Sequence, residues 1–122
     1  MTVQKPTLVT YTSARRVGNL IFTSGHLPVD ANGKLVDGSI KEQTAQVMRN
    51  LQATLKAEGS GLDRVIKATV LLRHRSDWEG MNEVYAQFMG DNKPARTAIT
   101  AGDMKFGALL EMEVVAKGGG GT

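Results

Sequence analysis

The run Val65-Ile66-Lys67-Ala68-Thr69-Val70-Leu71-Leu72 constrains the fold more than any other stretch of the chain. Its last residues are apolar without alternation, the pattern of a strand kept dry on both faces. A helical segment lies on either side of it. Ser39-Ile40-Lys41-Glu42 is a capping box, after which Val47, Met48, Leu51 and Leu55 recur at helical spacing until Gly59 stops the run. Ser76-Asp77-Trp78-Glu79 repeats the box, and Trp78, Met81, Tyr85 and Phe88 form the apolar face of a second helix that ends at Gly90. At that spacing the aromatic stripe reads as core.

The remaining segments are extended. Leu8 to Thr12 and Ala14 to Val17 lead through a Gly18-Asn19 turn into Leu20-Ile21-Phe22-Thr23-Ser24. Short extended pieces around Val29 and Leu35-Val36 flank an Asn32-Gly33 turn. Two strands close the chain, one carrying Arg96 and one running from Ala108 to Lys117. This order predicts an α+β domain, a mixed sheet with both helices on one face. Two helices cannot cover both faces of a sheet, so the open face is expected to be buried against another copy of the chain.

A chain of 122 residues is one domain, here residues 1–117, with a flexible Gly-rich tail at 118–122. Without cysteine it has neither disulfides nor a thiol nucleophile. His26 and His74 lie far apart and lack the carboxylates of a metal site, so no metal is expected. No apolar run reaches membrane-spanning length, and Met1 to Pro6 has no apolar signal core; the expected location is the cytoplasm. The net charge is +3, with the densest basic clusters at Arg15-Arg16 and Arg73-His74-Arg75 and six aromatics in all. That pattern reads as solvated surface, and no nucleic-acid partner is expected.

Five side chains could carry chemistry. Pro94 disfavours a helix before it and Thr97-Ala98-Ile99-Thr100 is β-branched in character, so Arg96 stands where a loop runs into a sheet. A guanidinium fixed there offers a planar fork of donors that matches a small carboxylate. Alternation in Leu110-Glu111-Met112-Glu113-Val114 puts Glu111 and Glu113 on one strand face, a wet face or the place of a general base. Ser24 and Tyr11 supply hydroxyls that could orient a ligand. Ser24 and His26 lie two residues apart with no orienting acid, which argues against a nucleophilic triad.

Tyr11, Val17-Gly18-Asn19-Leu20, Thr23-Ser24-Gly25-His26-Leu27-Pro28, Asn82-Glu83-Val84-Tyr85, Pro94-Ala95-Arg96-Thr97 and Glu111-Met112-Glu113, in this order, closely resemble the RidA/YjgF family of enamine/imine deaminases. The resemblance runs from about Thr10 to Ala116. It implies a fold like that of chorismate mutase of the bacillus type, also called RutC-like, assembled as a homotrimer with a site in each subunit cleft. The implied reaction hydrolyses short 2-iminoacids, formed from enamines such as 2-aminoacrylate, to 2-ketoacids and ammonia without a cofactor. By that resemblance Arg96 clamps the substrate carboxylate, with Asn82 also in the binding set. Ser24 and Tyr11 line the site, the backbone at Gly25 bonds the ligand, and Glu111 handles the attacking water with help from the Ala98 carbonyl. The chain departs from the family pattern at three places: Ala98 stands for a frequent cysteine, His26 for the usual glutamine and Thr10 for a proline. Other roles consistent with the same cleft are a non-catalytic trimer that binds small carboxylates, and an RNA-binding or ribonuclease-type translation inhibitor.

Overall fold

The computed structural model describes residues 8–118. Residues 1–7, and 119–122 of the proposed tail, lie outside the described residues. Gly118 belongs to the domain edge, its N–H donating to the Asn19 carbonyl at 2.8 Å.

Five strands and two helices run in the order β1 (Ala14–Val17), β2 (Leu20–Thr23), α1 (Ile40–Ala57), β3 (Val65–Leu72), α2 (Trp78–Met89), β4 (Ala95–Thr100) and β5 (Leu110–Lys117). The sheet order is β1-β2-β5-β3-β4, with β3 and β4 parallel and the other pairs antiparallel. β3 and β4 are joined through α2, the crossover a parallel pair requires. β5 returns between β2 and β3 and so ties the opening hairpin to the βαβ unit.

Both helices cover one face. α1 starts where its capping box predicts: the Ser39 N–H donates to Glu42 Oε2 at 2.8 Å, and the Ser39 hydroxyl reaches the same carboxylate. That bonding holds the Glu42 carboxyl below its ordinary range. Val47, Met48, Leu51 and Leu55 are buried against Ile21, Val70, Leu72, Leu110, Met112 and Val114 of the sheet. Each fully buried aliphatic side chain of this set contributes about 1.5–3 kcal/mol. α2 differs from expectation at its start. A turn of 3-10 helix, Arg75–Asp77, precedes it, the N-cap is Asp77, and no side chain caps it. The Ser76–Glu79 box therefore does not form, because the 3-10 turn places Ser76 ahead of the cap position.

Two other expectations change. Leu8 to Thr12 is not a strand, and the Val29 and Leu35 pieces meet only in a single bridge, around a loop in which Asp30 Oδ1 accepts the N–H groups of Asn32 and Lys34. In β3 the faces are unequal: Ala68, Val70 and Leu72 are buried under the helices, whereas Lys67, Thr69 and Leu71 are only partly covered. The opposite sheet face carries Val17 (66% exposed), Phe22 (43%) and Ile99 (49%). A single chain thus leaves an apolar face open. Among the described residues no helix is long and apolar enough to cross a membrane.

Candidate active site

Arg96 enters its strand behind a fixed loop. Asn92 donates to the carbonyls of Leu62 and Val65, at 2.9 and 3.0 Å, and Pro94 stiffens the approach. In register with Ala68 of β3, Arg96 points to the helix-covered side of the sheet, under α2. There its Nη1 donates to Asn82 Oδ1 at 2.7 Å. Its guanidinium carbon stands 4.7 Å from the centre of the Tyr85 ring and 5.3 Å from that of Trp78. Trp78, Asn82 and Tyr85 are spaced four and three apart, one face of α2. The aromatic stripe read as core holds for Met81, Tyr85 and Phe88, with Tyr85 also bracing the cation, while Trp78, 39% exposed, lies outside the core and serves the cation alone. Burial raises the Tyr85 hydroxyl above its usual range and the neighbouring Arg96 opposes that rise, so a neutral ring lies beside the charge. No carboxylate among the described residues pairs with Arg96. Its other donors remain for a ligand.

Ala98 lies two residues on, on the same face, and lines a cavity of about 750 Å³ with Leu72, Arg75, Trp78 and Thr100. Asn82 and Arg96 open on an adjacent cavity with Tyr85 and Pro94. Asn82 and Arg96 are thus brought together, while Ala98 lines a different cavity.

Tyr11, Ser24, Gly25 and Glu111 form a second group. Glu111 sits on the open face of β5, opposite Leu71 of β3. Gly25 is absent from the positive-φ glycines, and a Cβ on it would come within 2.7 Å of Glu111 Cδ, so a larger residue there would displace the Glu111 carboxylate. The Ser24 hydroxyl donates to the Thr12 carbonyl at 2.6 Å, which leaves the oxygen's lone pairs to accept. Tyr11, 69% exposed, and Ser24 line a cavity of about 600 Å³ that runs under α1. Neither Glu111 nor Glu113 has an ion-pair partner among the described residues.

The two groups do not meet within one chain. From β2 to β4 there are three inter-strand steps, roughly 14 Å at the usual strand spacing. Arg96 and Glu111 also project from opposite faces of the sheet. A three-carbon ligand cannot touch both in a single copy.

A polar row on α1 escapes a reading by apolar periodicity. Gln46 donates to Asn50 Oδ1 at 2.9 Å, Asn50 donates to the carbonyls of Leu27 and Val29, each at 2.9 Å, and Thr54 meets the His26 ring at 2.8 Å. The spacing of four between these residues was the available signal. Among the described residues no cluster of three or more His, Cys, Asp or Glu side chains could hold a metal ion.

Residues 2–117 match the family described as Endoribonuclease L-PSP. A RutC family protein of Pyrococcus abyssi is 43% identical over 107 residues, spanning 87% of this chain and 84% of that protein. RidA from an Antarctic Psychrobacter has a TM-score of 0.85 at 33% identity, over 92% of this chain and 91% of its own. E. coli TdcF, crystallised with bound serine, has a TM-score of 0.85 at 27% identity, over 91% and 90%.

Proposed function

This chain belongs to the endoribonuclease L-PSP family, whose solved members include RidA, and from that premise we propose that it is a cofactor-independent 2-iminoacid deaminase. Its substrates on this reading are short imines such as 2-iminopropanoate, derived from 2-aminoacrylate, and its place of action is the cytoplasm.

The observation that carries the proposal is the state of Arg96: aimed by Asn82, braced by Trp78 and Tyr85, and free of any carboxylate among the described residues. A braced fork without a partner is built for an incoming carboxylate. TdcF, crystallised with the small carboxylate serine, is in keeping with this.

An iminium carbon is already electrophilic, so the protein's task is to hold the substrate and aim one water. Arg96 binds the carboxylate. Glu111 takes a proton as water adds to C2, and the C=N electron pair moves to nitrogen. The proton then goes to that nitrogen; the carbinolamine hydroxyl gives its own proton to Glu111 as an oxygen electron pair forms C=O and the C–N pair leaves on nitrogen, releasing ammonia and the 2-ketoacid. Ser24, Tyr11, the Gly25 backbone and the Ala98 carbonyl line the path. Because one chain separates Arg96 from Glu111, the working site on this proposal is assembled between copies, in a homotrimer whose contacts use the open sheet face with Val17, Phe22 and Ile99.

The non-catalytic alternative uses the same Arg96 but not Glu111. The RNA reading would use Arg15, Arg16, Arg73 or Arg75, of which Arg16 donates to the Glu58 carbonyl at 2.7 Å and Arg73 pairs with Asp103 at 3.3 Å.

The deciding experiment follows ketoacid and ammonia release from 2-aminoacrylate generated in situ. Acceleration by the wild type, lost by a hundredfold or more in Arg96→Ala and strongly reduced in Glu111→Gln, is the expected result, on the order of what removing a carboxylate clamp costs. A folded wild type that does no better than spontaneous hydrolysis, yet still binds 2-ketoacids, favours the binding module instead. Sedimentation that finds only monomer removes the inter-copy site.

A further inference from the structure

His26 occupies a place that the proposed chemistry does not use. Its ring Nδ1 lies 2.8 Å from the Ser24 carbonyl oxygen and its Nε2 lies 2.8 Å from Thr54 Oγ1 on α1. A carbonyl can only accept, so Nδ1 carries a proton. Nε2 is paired with the Thr54 hydroxyl, which can donate to it or accept from it, so both nitrogens are satisfied. The main chain of the same residue bridges β5: its N–H donates to the Met112 carbonyl at 2.7 Å, and its carbonyl accepts from the Met112 N–H at 3.1 Å. Met112 adjoins Glu111. One residue therefore ties α1, the turn after β2, and the strand that carries the carboxylate.

We infer that His26 is the positioning residue of the Ser24–Gly25–Glu111 group, a clasp that fixes the direction in which the Gly25 N–H is offered to a ligand. The Ser24 carbonyl and the Gly25 N–H belong to one planar peptide unit and point in opposite directions. Whatever holds the carbonyl aims the N–H. Among the described residues no other group bonds the Ser24 carbonyl, and the Gly25 N–H, on an exposed residue, donates to no acceptor. Rotation of that peptide would turn the N–H away and move Gly25 across the face of Glu111, against which it sits without room for a Cβ. The loop beyond is held separately, by Asn50 on the carbonyls of Leu27 and Val29, so the ring's contribution is confined to this one peptide.

The kinetic arm of the test depends on the deaminase reading; the spectroscopic arm does not. His26→Leu removes both ring bonds, Thr54→Val removes the far one, and His26→Gln can offer an N–H to Ser24 and an oxygen to Thr54. With an imine substrate, His26→Leu is expected to lower kcat by about tenfold or more with KM within about threefold, since Arg96 is untouched. His26→Gln should return to within about threefold of the wild type, a rescue that a general packing role would not give. Wild-type kcat in His26→Leu, or a His26→Gln as impaired as His26→Leu, overturns the inference. Nitrogen NMR of the full-length chain reads the ring directly: a proton on Nδ1 is expected, and a ring protonated at Nε2 alone overturns the clasp. If the wild type hydrolyses no imine, the deaminase reading fails by itself. Pyruvate titration then decides the clasp: a Gly25 amide response present in the wild type and lost in His26→Leu supports it, and an equal response in both overturns it.

Discussion

The Arg96 group and the Ser24–Glu111 group reach comparable definition by opposite means. Arg96 is held mostly by side-chain bodies: two rings and one amide projecting from the same face of a helix. The other group is held by backbone. The Ser24 N–H donates to Ser13, its hydroxyl donates to Thr12, the His26 main chain bridges Met112, and Gly25 is pressed against Glu111. A side-chain brace tolerates small losses one at a time, because each member supplies part of the restraint. A backbone clamp concentrates its tolerance in single peptides and single hydrogen atoms. The comparison predicts steep effects on kcat in the backbone-held group and graded effects on KM in the braced one.

The largest effect belongs to Gly25→Ala. The new methyl would come 2.7 Å from Glu111 Cδ and 2.9 Å from its Oε2, so the carboxylate must move. If Glu111 handles the attacking water as proposed, displacing it by about 1 Å costs on the order of a hundredfold in rate, and we expect that loss in kcat with KM within about threefold. Alanine is compatible with the backbone here, so the melting temperature should hold. Steady-state kinetics of imine hydrolysis check it. Equal losses in kcat and in carboxylate affinity would mean that the two groups are not separable, and would break the comparison.

The difference in construction also governs what could be read from the sequence. Pro94 followed by a β-branched run put Arg96 at the mouth of a strand, and the Ser39–Glu42 box with its apolar stripe placed α1, because caps and periodicity are local. Alternation in β5 correctly put Glu111 on the face away from Met112. Trp78 was misread and the second use of the buried Tyr85 was missed, because a face that packs a core and a face that braces a cation share one spacing. The polar Asn82 set between them was the clue to the second use. The Ser76–Glu79 box failed since a 3-10 turn and an α-helix start share the same residues. The dryness of β3 on both faces is not met in a single chain, where Lys67, Thr69 and Leu71 stay partly covered; that property belongs to an assembly, if the homotrimer forms. Separation of Arg96 from Glu111 by the sheet was beyond a one-dimensional reading, because strand order depends on where β5 inserts.

A tenfold effect is expected of Asn82→Ala. It removes the 2.7 Å bond to Arg96 while both rings remain. A hydrogen bond to a charged group contributes about 1.5–3 kcal/mol at most, and the rings retain part of the restraint, so KM should rise about tenfold with kcat nearly unchanged. Pyruvate affinity measured by calorimetry gives the same comparison without turnover. A collapse of kcat instead would place Asn82 on the reacting atoms and make the braced group as steep as the clamped one.

The smallest effect sharpens the comparison most, because it separates the ring of Tyr85 from its hydroxyl. The residue is 7% exposed, and its hydroxyl has no hydrogen-bond partner among the described residues. Water would satisfy that group in the unfolded chain, so its burial costs free energy that the ring's contact with Arg96 offsets. Tyr85→Phe keeps the ring and discards the cost. Ligand affinity should be unchanged and stability should rise by up to about 1 kcal/mol, read as a higher denaturation midpoint at constant m. Tyr85→Leu keeps the bulk but not the ring face, and should weaken ligand binding several-fold as the guanidinium loses one of its braces. If Tyr85→Phe loses affinity while Tyr85→Leu loses no more, the hydroxyl and not the ring is what matters, its partner lies on the ligand or on a neighbouring copy, and the brace would have to be redrawn as a hydrogen-bond network.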